Sequence, residues 1–98
     1  GFSNGANIAT AVLLRHPGLL AGAVLIRAMM TYTPDPVPAL HGTRILVSSG
    51  RADPLVPAAQ VDALHALFTA AGAECSVVWQ HAGHGLAPGD LVAMREWL

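Results

Sequence analysis

Two short runs, "AGAVLIR" at 21–27 and "RILVSSG" at 44–50, limit this chain's fold more than any other feature. The first is of strand length and apolar without alternation, with glycine or proline on both flanks, and the second repeats a buried-strand pattern in Ile45, Leu46 and Val47 and ends in a small-residue turn. A strand with one wet face alternates with a period of two. A run apolar throughout is buried on both faces, as a strand is in a parallel sheet. A third run, "ECSVVWQH" at 74–81, reads as a strand from its β-branched and aromatic residues.

Helical spacing fills much of the remainder. Over residues 4–16, Ile8, Val12 and Leu13 recur with Ala6, Ala9 and Ala11 between them, and the pattern stops at His16-Pro17-Gly18. Pro57 sits where a first-turn proline belongs. Val61, Leu64, Leu67, Phe68 and Ala71 then follow at helical intervals until Gly72. Asp90 is placed to cap a last helix with Leu91, Met94, Trp97 and Leu98 on its apolar face. In "TYTPDPVPALHGT", Pro34, Pro36 and Pro38 forbid regular structure. There is no internal repeat, low-complexity tract or linker. The predicted fold is α/β: alternating parallel strands and helices in three layers, αβα, joined by right-handed crossovers.

Composition bears on what such a fold needs around it. Of 98 residues, 53% are apolar and 11% charged, against roughly 25% charged in an ordinary soluble domain. Either a membrane protein or a piece of a larger domain fits that imbalance. The first is excluded because Arg15, Arg27, Arg44, Arg51 and the prolines break every run well short of the about 18 residues a spanning helix needs. The expectation is therefore a partial domain over residues 1–98, without membrane insertion. No secretory leader is visible. Five arginines, no lysine and six acids give a net charge of −1 with no clustering, which argues against nucleic acid and anionic membrane as partners. The single cysteine, Cys75, excludes an internal disulfide and is in keeping with a cytoplasmic location.

Parallel α/β sheets collect chemistry at the carboxyl ends of their strands. After the second run stands Asp53, in "SSGRADPLVP". After the third stand His81 and His84, in "HAGHGL". Ser3 precedes the first helix, in "GFSNG". These supply a nucleophile, an acid and two competing bases. Each also has a plainer role. Ser3 is a good helix cap, Asp53-Pro54 favours a turn, and His81-x-x-His84 has metal-ligand spacing but no carboxylate or thiol to complete the set. Cys75 reads as a small buried hydrophobe.

"GFSNG" matches the G-x-S-x-G nucleophile elbow of the α/β-hydrolases, and Ser, Asp, His is their chain order. The five-residue match alone is expected by chance in about 3% of chains of this length. The Asp and Gly-His-Gly after successive strands make coincidence far rarer. The wording "GFSNGANIA", "SSGRADPLVP" and "HAGHGL" resembles the carboxylesterase/phospholipase branch, along essentially the whole chain but only the carboxyl-terminal half of that family's domain.

The resemblance implies a serine hydrolase for small carboxylic esters or thioesters, with Ser3 attacking, His84 as base and Asp53 orienting it. No cofactor or metal is implied. Asn4 would offer its backbone N–H to the oxyanion. The family's second donor lies in a loop outside this sequence, and loss of one such donor costs about 2.7 to 4 kcal/mol of transition-state stabilisation. Met29, Met30 and Tyr32 would line a substrate pocket, with Leu55, Val56 and Leu86 at its edge. The same triad also serves peptidases, lipases and acyltransferases. An inert piece or interaction module derived from a hydrolase is a further reading, and the oligomeric state stays open.

Overall fold

A computed structural model describes residues 1–98. It holds α1 (Asn4–Arg15), β1 (Gly22–Ile26), β2 (Arg44–Gly50), α2 (Ala58–Ala70), β3 (Glu74–Gln80) and α3 (Pro88–Trp97). The strands form one sheet in the order β1-β2-β3, and both pairs are parallel. Central β2 is buried over six of its seven residues, the apolar Ile45, Leu46 and Val47 and the small Ser48, Ser49 and Gly50. β3, at the edge, is mostly half-buried.

The pleat divides the core. Leu25, Ile45 and Val47 share one face with Cys75, Val77 and Trp79. There they pack with Leu13 and Leu14 of α1 and with Val61, Leu64 and Phe68 of α2. α3 covers the other face, where Asp90 meets Ser48. Three αβα layers result, as expected. No helix is long and apolar enough to cross a membrane.

β1 and β2 are joined by residues 27–43 with no helix or strand, as the prolines there require, since they remove donors and fix φ. Local expectations fail at three places. In α1 the inward positions are Ala6, Thr10, Leu13 and Leu14, while Ile8 is 60% exposed. Thr10 is accommodated by giving its hydroxyl proton to the Ala6 carbonyl at 2.9 Å. Pro57 is extended at ψ 152°, so α2 starts one residue later.

α3 differs most. Its N-cap is Ala87, and Asp90, in the first turn, accepts a hydrogen bond from the Ala87 N–H at 2.7 Å. Leu91 and Leu98 are exposed. The only fully buried residue of the helix is Asp90. An ion pair, rather than an apolar stripe, anchors this helix to the sheet.

Candidate active site

Gly1 and Phe2 run parallel beside the carboxyl end of β1, with Gly1 and Ser3 N–H groups donating to the Val24 and Ile26 carbonyls at 2.8 and 2.7 Å. The chain then turns abruptly into α1. Ser3 takes φ 53°, ψ −115°, in the half of the map that favours glycine. A Cβ on Gly1 would come within 2.5 Å of the Gly5 carbonyl oxygen, so the turn's first position requires glycine. Gly5 itself meets nothing, and the structure gives no steric reason for a glycine there.

Ser3 does not cap the helix with its side chain. Its Oγ lies 2.6 Å from His84 Nε2. His84 Nδ1 in turn lies 2.8 Å from Asp53 Oδ2. Residues 3, 53 and 84 thus form one hydrogen-bonded line across three loops at the same end of the sheet. His81 is exposed and makes no side-chain hydrogen bond, so of the two histidines only His84 meets the other groups.

Both carboxylate oxygens of Asp53 are engaged. Oδ1 accepts the N–H groups of Leu55 and Val56 at 2.8 and 3.3 Å, a turn-forming arrangement, while Oδ2 faces the imidazole. Burial alone would raise its pKa. The hydrogen bonds from His84, Leu55 and Val56 and the histidine's charge outweigh that and hold it below the ordinary carboxylate value. Asp53 is therefore ionised at neutral pH, and the imidazole proton belongs on Nδ1, leaving Nε2 to accept from the Ser3 hydroxyl.

The His84 loop is brought close by Gly50, at the end of β2. A side chain there would run into the carbonyls of Ala82 and Gly83. Ala52 N–H also donates to Ala82 O at 3.1 Å. Asn4, first in α1, has an N–H without an intrahelical acceptor.

The expected pocket residues divide. Val56 is 4% exposed and part of the core, so it offers no surface to a ligand. Met29, Met30 and Tyr32 are half-buried against that core. Leu55 and Leu86 are exposed beside Asp53 and His84. The chain's one cavity, about 460 Å³, lies elsewhere, lined by Ala21–Val24 of the β1 region, Arg44, Trp97 and Leu98.

No protein-family model matches the chain. It is 34% identical over 97 residues to the Bacillus subtilis protein named "Putative hydrolase MhqD", covering 99% of this chain and 48% of that one. Among solved structures it superposes on a Bacillus cereus carboxylesterase with a TM-score of 0.95 at 33% identity, over 99% of this chain and 46% of that one. The layered fold is that of its α/β-hydrolase neighbours. A Mesorhizobium loti carboxylesterase matches with a TM-score of 0.91 and 35% identity, again over 99% and 46% of the two chains. The chain spans about half the length of the relatives it matches.

Several residues near the site escaped the sequence reading. Phe2 places its ring 5.9 Å from that of His84. Asn7 and Gln60 accept the backbone N–H groups of Met29 and Met30 at 3.0 and 3.1 Å, tying the segment after β1 to α1 and α2. Arg27, which in the sequence only interrupts an apolar run, is another. It is 1% exposed and pairs with Asp90, 63 residues on, at 2.8 and 3.0 Å. A buried arginine needs a buried acid. That demand was the available signal, but nothing local in the sequence says which acid answers it.

Proposed function

We propose that these residues belong to a serine hydrolase that cleaves small carboxylic esters or thioesters through an acyl-enzyme. The observation that carries this reading is the unbroken line Ser3 Oγ, His84 Nε2, His84 Nδ1, Asp53 Oδ2, at 2.6 and 2.8 Å. A serine hydroxyl is a weak nucleophile until a base within reach can take its proton. Relatives named hydrolase and carboxylesterase support the reaction class.

In this reading Ser3 attacks the substrate carbonyl carbon while His84 Nε2 takes the hydroxyl proton. The imidazolium so formed is stabilised by ionised Asp53 and then protonates the leaving alcohol or thiol. Water enters, His84 takes its proton, and the acyl-serine ester breaks to release the acid and restore Ser3. In this reading the Asn4 N–H, at the positive end of α1, receives developing negative charge on the carbonyl oxygen. Exposed Phe2, Leu55 and Leu86 give the site an apolar rim suited to an acyl chain.

The deciding experiment treats the full-length protein with a fluorophosphonate probe. Labelling at Ser3, lost in Ser3→Ala and His84→Ala but retained in His81→Ala, is the expected result. A folded protein that stays unlabelled rejects the proposal, and loss with His81→Ala alone moves the base to His81.

A second reading concerns the 98 residues taken alone, as an inert polypeptide or interaction module. The open cleft along β1 and the exposed Phe2, Ile8, Leu19 and Leu98 favour it. Ester hydrolysis by this polypeptide in isolation would reject it.

A further inference from the structure

We propose that Arg27 is a positioning residue that holds the His84 loop at its distance from Ser3, a role that rests on the reading of Ser3, His84 and Asp53 as the reacting groups. His84 stands on a segment without regular structure between Gly83 and Gly85, where the backbone has the most freedom to lose. Its ring must nevertheless sit within hydrogen-bond reach of two side chains at once.

Arg27 closes on that segment from below. Its Nε–H donates to the Gly83 carbonyl at 2.9 Å and one Nη2–H to the Gly85 carbonyl at 3.0 Å, so the guanidinium brackets His84 from both sides. The other three donors are used as fully. Nη1 donates to Asp90 Oδ1 at 2.8 Å and to the Ser48 carbonyl at 3.3 Å, and Nη2 donates to Asp90 Oδ2 at 3.0 Å. All five N–H groups have partners. Asp90 is held in turn by the Ser48 hydroxyl at 2.6 Å and the Ala87 N–H at 2.7 Å. The fork therefore cannot swing without breaking contacts to β2 and α3.

Two further observations set this apart from an ordinary buried ion pair. Arg27 has φ 58°, a backbone conformation that favours glycine, kept here by a residue with a long side chain. The preceding residue, Ile26, accepts the Ser3 N–H through its carbonyl at 2.7 Å. Adjacent positions 26 and 27 thus fix the serine turn with backbone and the histidine loop with side chain. The separation of Ser3 from His84 is set by this two-residue bracket.

Lysine cannot replace the fork, because three donors on one nitrogen cannot span two carbonyls and a bidentate carboxylate. The test is Arg27→Lys in the full-length protein, assayed on p-nitrophenyl butyrate and corrected for the folded fraction. The expected result is a fall in kcat of about tenfold to hundredfold with KM nearly unchanged. The downfield proton resonance of His84 Nδ1–H should also be lost from the spectrum. A merely structural arginine would lower the folded fraction and leave kcat per folded molecule and the resonance as they were; that result overturns the proposal.

If Arg27→Lys does not fold, Ser48→Ala removes one bond to Asp90 and keeps both charges. It should show the same kcat-only loss to a smaller degree, and unchanged kcat there overturns the role. The wild type separates the two readings. Failure of its Ser3 to label with fluorophosphonate defeats the proposed function, whereas labelling of wild type and Arg27→Lys at equal rates defeats only the bracket.

Discussion

Asp53 shows how one carboxylate serves two demands in a single position. Its Oδ1 shapes the 53–56 turn and its Oδ2 holds the imidazole. Asp53→Asn should keep the turn, since an amide oxygen still accepts, while losing the charge that favours imidazolium. We expect kcat to fall by about 10⁴ with melting temperature little changed, measured on the same purified sample by ester assay and calorimetry. Cys75 is the contrasting residue. Burial pushes its thiol up to about 11, so at pH 7.5 iodoacetamide should leave it unmodified in the folded protein and alkylate it after denaturation.

At the level of elements, α3 turns a hydrophobic expectation into an electrostatic one. Burial would raise the pKa of Asp90. Hydrogen bonds from Arg27, Ser48 and Ala87 and the charge of Arg27 outweigh that and depress it. A depressed carboxylate contributes stability that is fully present above its unfolded value of 3.8 and is lost as pH falls through the lower folded value. Stability should therefore decline below about pH 4, and Asp90→Asn should flatten that decline in urea titrations across pH. Asp90→Ala strands a buried guanidinium and should cost about 3 to 5 kcal/mol at neutral pH. On α2, Phe68 is fully buried among apolar neighbours, and Phe68→Ala should cost about the same for a different reason, the cavity left behind.

These contrasts explain what could be read in advance. β1, β2 and α2 were legible because period and composition within a dozen residues decide them. The meeting of Ser3, Asp53 and His84 was legible because parallel sheets gather strand ends, so order along the chain implies proximity. The Arg27–Asp90 pair was not, because a helix anchored by one buried acid carries no periodic signal. Nor was the sinking of Val56 into the core, because a loop residue's burial depends on which elements close over it.

At the scale of the whole molecule, the low charge content has a structural counterpart. β1 has one neighbouring strand along most of its length, and Ala21–Val24 line an open cleft together with Arg44, Trp97 and Leu98. Nine large apolar side chains are exposed, Leu98 at 81% and Leu19 at 67% among them. Surface of that kind associates. The 98-residue polypeptide should bind a hydrophobic dye and scatter light as an oligomer. A dye-silent monomer would contradict this expectation.

The register of the sheet carries one more consequence, in time rather than in space. Every strand pair is parallel, and the three groups of the hydrogen-bonded line stand at positions 3, 53 and 84, so no two of them are near neighbours along the chain. Contacts between such distant residues form only after long loops have closed, which slows folding. Ser3 should therefore acquire its reactivity late. In refolding from urea, the appearance of probe-reactive serine should lag behind the recovery of helical circular dichroism, making the nucleophile a clock for completion of the chain's last long-range contacts.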